Sequence, residues 1–155
     1  MRLFIRTGVL LIVVVVTGGI ALAQFAKPED AITYRKSVMQ VIKKHFGNMA
    51  GVVKGKIPFD KTAFAADAKV VAMMSKLPWE ASQVPGSTEG NTTLKENALK
   101  DFEGFMAAAK EFEEAGQKLV AAVEGGDLGV IKKQFGATAQ TCKACHHSYR
   151  SKHGH

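Results

Sequence analysis

Residues 94–128 read LKENALKDFEGFMAAAKEFEEAGQKLVAAVEGGDL. Ala98, Phe102, Phe105, Ala109, Phe112, Leu119 and Val123 recur at steps of three, four or seven. That is the repeat of a helix with one apolar face. The spacing predicts one helix from about Leu94 to Glu124, stopped by Gly125 and Gly126. Asp127 then stands where a side-chain cap starts the next helix. The apolar face of that helix runs through Leu128, Ile131, Phe135, Ala139, Cys142 and Tyr149.

Two earlier stretches read the same way. Pro28 suits a first helical position, with Glu29 and Asp30 in the favourable first turn. Ala31, Val38, Val41, Ile42 and Met49 follow, and the helix is expected to end near Gly51 to Gly55. Asp60 is the expected cap of another helix, with Phe59 and Phe64 at the two positions of a hydrophobic staple. Its stripe is Phe64, Ala68, Val71 and Met74, and Pro78 closes it. The segment PWEASQVPGSTEGNTT is the longest expected loop. Four amphipathic helices and no convincing strand predict an all-α, antiparallel up-down-up-down four-helix bundle. Room for a cofactor is expected between its helices.

The amino terminus stands outside this pattern. Arg2 and Arg6 precede the apolar run GVLLIVVVVTGGIALA, which ends in Ala21-Leu22-Ala23. A basic start, an apolar middle and a small-residue end make a secretory signal peptide. The expected division is a signal peptide at 1–23 and one helical domain at 24–155. The run is also shorter than the roughly 20 residues a helix needs to cross a bilayer. No stable membrane insertion is therefore expected after cleavage. Loss of Arg2 and Arg6 leaves 19 basic and 14 acidic residues, a formal +5. The charges are scattered, with no like-charge run of the kind that marks a nucleic-acid tail.

The only two cysteines lie in residues 141–150, TCKACHHSYR. A disulfide across three residues of a helix would constrain little. A thioredoxin-like pair usually opens a helix after a strand, and none precedes this one. Structural zinc needs four ligands, whereas Cys142, Cys145 and a histidine supply three. C-x-x-C-H is the attachment string of c-type haem. Residues three and four apart share a helix face, so both thiols and the imidazole of His146 can reach one porphyrin. This reading uses both cysteines, His146 and the exported compartment together, and it predicts one covalently bound haem c with His146 as axial ligand. His147 is rotated about 100° from His146 and is expected to point away. His45, His153 and His155 carry no second-ligand spacing.

CKACHHSYR resembles the carboxyl-terminal motif of the cytochromes c′. QFAKPEDAITYRKSVM and HFGNMAGVVKGKIPFD resemble the first helix and first loop of that family, and LPWEAS and PGSTEG resemble its second loop. The resemblance covers nearly all of 24–155. It implies haem c in the bundle core, five-coordinate iron, a periplasmic location and a homodimer packed through the first two helices. Carried over by position, Cys142 and Cys145 match the thioether positions, His146 the axial ligand, and Arg150 the basic residue beside it. Arg35 matches the arginine that approaches a haem propionate, and Met39 the position over the distal face. Arg35, Met39 and Ile42 fall on one helix face, in agreement with those roles. Trp79 is expected near the haem edge.

The function this implies is binding of small diatomic gases such as nitric oxide and carbon monoxide, with protection against nitrosative stress. No acid–base or nucleophile constellation points to an enzyme. The alternative is a low-spin electron-transfer cytochrome with Met39 as sixth ligand, working with redox partner proteins. A methionine ligand raises the potential.

Overall fold

A computed structural model describes residues 25–152. The expected signal peptide at 1–23, and His153 and His155, lie outside the described residues. The elements are α1 (Pro28–Val53), α2 (Lys61–Met74), a short α3 (Asn97–Lys100), α4 (Phe102–Gly125) and α5 (Leu128–Tyr149), with a 3-10 turn at Glu80–Ser82. α1 packs on α2, α2 on α4, and α4 on α5, the order of an up-and-down bundle.

The ends form where local chemistry places them. Asp60 accepts from Ala63 N at 2.9 Å and Asp127 from Val130 N at 2.9 Å, satisfying amides that the helix leaves open. The Phe59 and Phe64 rings meet edge-on at 5.9 Å and complete the staple. α4 ends at Gly126, whose φ of 80° suits glycine and lets its N–H reach the carbonyls of Ala122 and Val123.

The single helix expected from Leu94 to Glu124 is instead broken at Asp101 (φ −114°, ψ 57°). Leu94 forms an isolated antiparallel bridge with Arg150, so the chain is extended before α3 begins. The Asp101 carboxylate caps α4 through Gly104 N at 3.3 Å and accepts the Tyr149 hydroxyl at 2.6 Å. A Cβ on Gly104 would lie within 2.7 Å of both carboxylate oxygens and the Tyr149 hydroxyl, so the junction requires glycine there.

The core runs through Phe64, Val71, Phe105, Phe112, Leu119, Val123 and Ile131, all buried. α1 and α5 meet through the stacked rings of Phe46 and Phe135, with centroids 4.3 Å apart. The middle of α1, from Arg35 to Gly47, and the carboxyl-terminal half of α5 face a shared cavity.

Candidate functional site

The cavity has a volume of about 600 Å³, within the 300–1,000 Å³ typical of cofactor sites. α1 contributes Met39, Ile42 and Phe46, α4 contributes Phe105 and Phe112, and α5 contributes Cys142, Cys145 and His146. The sequence spacing is realised as geometry, since two thiols and one imidazole three and four residues apart reach one space. His147 is not among the described lining residues, and its neighbour His146 is. A rotation of about 100° per residue separates them.

The thiols are unlike those of a redox pair. Burial raises the pKa of Cys142, and burial with the nearby Cys142 raises Cys145 to about 11. Disulfide oxidoreductases lower a cysteine pKa to create the thiolate, and these surroundings do the opposite. Burial, then the positive charge of Arg150, lowers the pKa of His146. Both effects favour the neutral imidazole, the form that binds a metal. Arg150 acts from a different backbone position than a continuous helix predicts. α5 ends at Tyr149, and Arg150 is extended (φ −118°, ψ 132°), with Nε donating to Thr93 Oγ1 at 3.4 Å.

Arg35 and Trp79 also line the cavity. Trp79 is buried, donates from Nε1 to Ser75 O at 2.6 Å, and meets Phe105 edge-on at 5.7 Å. Arg35 is 8% exposed and holds the 81–92 loop. Its Nη1 donates to Ala81 O at 2.7 Å and Ser87 Oγ at 3.0 Å, and its Nη2 to Ser87 O at 2.5 Å and Thr92 Oγ1 at 3.2 Å. Among the described residues, Nε is the guanidinium donor left without a protein acceptor. The loop attachment was not legible from spacing, because it depends on which loop carbonyls turn inward.

Residues at the cavity suit haem by their chemistry. The apolar walls suit a porphyrin, and the thiols and imidazole suit its vinyl edge and iron. Arg35, Lys36, Lys43 and Arg150 give the lining positive charge, with no carboxylate among the described lining residues, which suits anionic propionates. Ser82 is also a lining residue, and its hydroxyl is buried with no hydrogen-bond partner among the described residues.

His45, with no ligand role expected, binds elsewhere. Its Nδ1 lies 2.6 Å from Asp67 Oδ1, which also accepts from Asn48 Nδ2 at 3.2 Å, joining α1 to α2.

The family model described as Cytochrome C' matches residues 30–150. The chain belongs to the cytochrome c′ family. It is 42% identical over 129 residues to cytochrome c′ of Alcaligenes xylosoxydans xylosoxydans, covering 83% of this chain and 99% of that protein. The crystal structure of cytochrome c′ from Rubrivivax gelatinosus matches with a TM-score of 0.77 and 42% identity, over 83% of this chain and 100% of that one. A nitric oxide complex of a mutant cytochrome c′ from Alcaligenes xylosoxidans matches with a TM-score of 0.77 and 39% identity, over 83% and 100% of the two chains. As in the cytochromes c′, the cofactor is covalently attached haem c, for which Cys142 and Cys145 are the cysteines of the C-x-x-C-H string. No described helix is long and apolar enough to cross a membrane.

Proposed function

We propose that this protein is a periplasmic haem protein that binds small diatomic gases, with Cys142 and Cys145 as thioether anchors and His146 as the axial ligand. The observation that carries the reading is the cavity. Its α5 wall holds thiols and an imidazole, and its α1 wall holds Met39, Ile42 and Phe46. Bound haem supplies an iron able to take a diatomic ligand. Residues of this chain set what reaches it. Lys36, Gln40 and Lys43 also line the α1 side, but Met39, Ile42 and Phe46 themselves offer no hydrogen bond to hold water, and an iron facing them would favour neutral nitric oxide or carbon monoxide. Met39 covers the iron without ligating it, and Arg150 keeps positive charge beside His146. Arg35 through Nε holds a propionate, and Trp79 packs at the haem edge. The nitric oxide complex of the Alcaligenes xylosoxidans relative supports the same capacity here. Protection against nitrosative stress is the role this capacity fits. A homodimer would form through the outer faces of α1 and α2, where Val41 and Met73 are exposed.

The test is an absorption spectrum of the purified holoprotein. The reduced form is expected to show one broad visible band and to bind carbon monoxide. Met39→Ala is expected to speed that binding and leave the iron high-spin. Sharp, split low-spin bands, with carbon monoxide refused until Met39 is replaced, would overturn this reading in favour of electron transfer.

A further inference from the structure

Tyr149 has surroundings that gas binding does not use. Its ring is buried and lines the cavity that holds Cys145 and His146. Its hydroxyl donates to Asp101 Oδ2 at 2.6 Å, a short bond to a charged acceptor. Asp101 is itself exposed, so a proton placed on it has a route to water. On its other side the Tyr149 ring meets Phe105 edge-on at 5.3 Å, and Phe105 meets Trp79 at 5.7 Å. A phenol beside a redox centre, bonded to a wet carboxylate, is the arrangement for losing an electron and a proton together.

We propose that Tyr149 is a redox-active site: when the reduced holoprotein meets hydrogen peroxide, Tyr149 loses one electron and passes its phenolic proton to Asp101 Oδ2. The inference rests on the haem reading above. The electrons balance. Peroxide takes two, one from ferrous iron, which becomes ferric, and one from the phenol, which becomes a neutral phenoxyl radical. The O–O bond breaks and two waters form. Of the two protons this consumes, one is released through Asp101 and the other comes from solvent.

The choice of Tyr149 over its neighbours follows from proton acceptors. Oxidation makes a phenol or an indole strongly acidic, so the radical settles where a base can take the proton. Trp79 Nε1 is bonded to the Ser75 carbonyl, which is a poor base. Phe105 has no proton to give. Tyr34, the other tyrosine of the chain, packs against the Phe25 ring. At rest the hydrogen bond to Asp101, then burial, holds Tyr149 protonated by raising its pKa to about 12. The phenol therefore stays neutral until it is oxidised.

The test is freeze-quenched electron paramagnetic resonance of the anaerobically reduced holoprotein mixed with one equivalent of hydrogen peroxide. A tyrosyl signal is expected in wild type and in Tyr34→Phe, and none in Tyr149→Phe. Asp101→Asn keeps a side-chain cap for α4 but removes the base. It is expected to slow the appearance of the signal about 100-fold, the low end of what a positioned base contributes. A signal that survives Tyr149→Phe, or an indole signal lost in Trp79→Phe, overturns the proposal. So does ferrous haem oxidised by peroxide with no organic radical. The same samples are assayed for covalent haem by mass. Its absence overturns the cofactor reading as well, which separates the two failures.

Discussion

Arg35→Ala tests whether one buried cation fastens the loop to the bundle. Its four hydrogen bonds reach Ala81, Ser87 and Thr92 across more than forty residues of chain. Hydrogen bonds to charged groups contribute about 1.5–3 kcal/mol each. They share one guanidinium, so the four do not add in full. Burial opposes them, lowering the Arg35 pKa from 12.5 to about 10. Alanine would also strand the carbonyl of Ser87, a fully buried residue, at about 1–3 kcal/mol, whereas Ala81 O keeps the Ser87 hydroxyl at 3.3 Å. Counting the four bonds as about two independent ones near the low end of their range, the net loss is about 3–4 kcal/mol. At about 4 °C per kcal/mol for a domain of this length, the melting temperature should fall by about 12–15 °C. Far-UV circular dichroism of the holoprotein measures this, and amide hydrogen exchange should show faster opening confined to 81–92. Arg35→Lys should recover less than half the loss, because an ammonium lacks the planar fork that meets these acceptors together. A loss below about 1 kcal/mol, or unchanged exchange in the loop, would refute the tether.

Leu119 is fully buried in the core, and Leu119→Ala should cost about 3–5 kcal/mol in a urea titration, with an unchanged slope. His146→Ala should abolish the axial-ligand spectrum, whereas His147→Ala should leave it nearly unaltered; the reverse would place the wrong face of α5 against the haem. Tyr149 should titrate near pH 12 by carbon-13 NMR, and Asp101→Asn should bring it down toward an ordinary phenol. Because its folded pKa is raised, its stabilising effect is complete below the unfolded value of about 10 and is lost as pH rises through about 12. An unshifted Tyr149 in the wild type would mean that the bond to Asp101 does not persist in solution.

What the sequence made legible was local. Asp60 and Asp127 were identifiable as caps, and Phe59 and Phe64 as a staple, because each acts within one helical turn. The meeting of Cys142, Cys145 and His146 in one cavity followed from their spacing alone. The break at Asp101 was not legible, because NALKDF contains no strong helix breaker. Its cause is tertiary: Tyr149 donates to Asp101 from 48 residues away, and Leu94 pairs with Arg150. The loop contacts of Arg35 were hidden for the same reason. The family resemblance and the shared face with Met39 marked Arg35 as a cation at the site, but its acceptors, two backbone carbonyls and the hydroxyls of Ser87 and Thr92, lie on a loop whose path the spacing does not give.

These long-range contacts converge on one structural problem. α1 and α5 carry opposite parts of the cavity wall, yet they are the neighbouring pair of the bundle without extensive backbone packing, since the cavity lies between them. The segment from Trp79 to Lys95 supplies the missing connection. At one end Arg35 of α1 grips it through Ala81, Ser87 and Thr92. At the other end it closes the carboxyl terminus of α5, whose last three carbonyls would otherwise lack partners. Lys95 N donates to Tyr149 O at 2.9 Å, and Lys95 Nζ to His147 O and Ser148 O at 3.2 Å each. Arg150 N takes His146 O at 3.2 Å, and Ser151 N extends the pairing to Thr93 O at 2.8 Å. The ammonium of Lys95 also lies where the helix dipole is negative. A single loop thus fixes the helix bearing Met39 relative to the helix bearing His146 while leaving the space between them open. Direct packing of α1 on α5 would have held the helices equally well, but it would have filled the cavity.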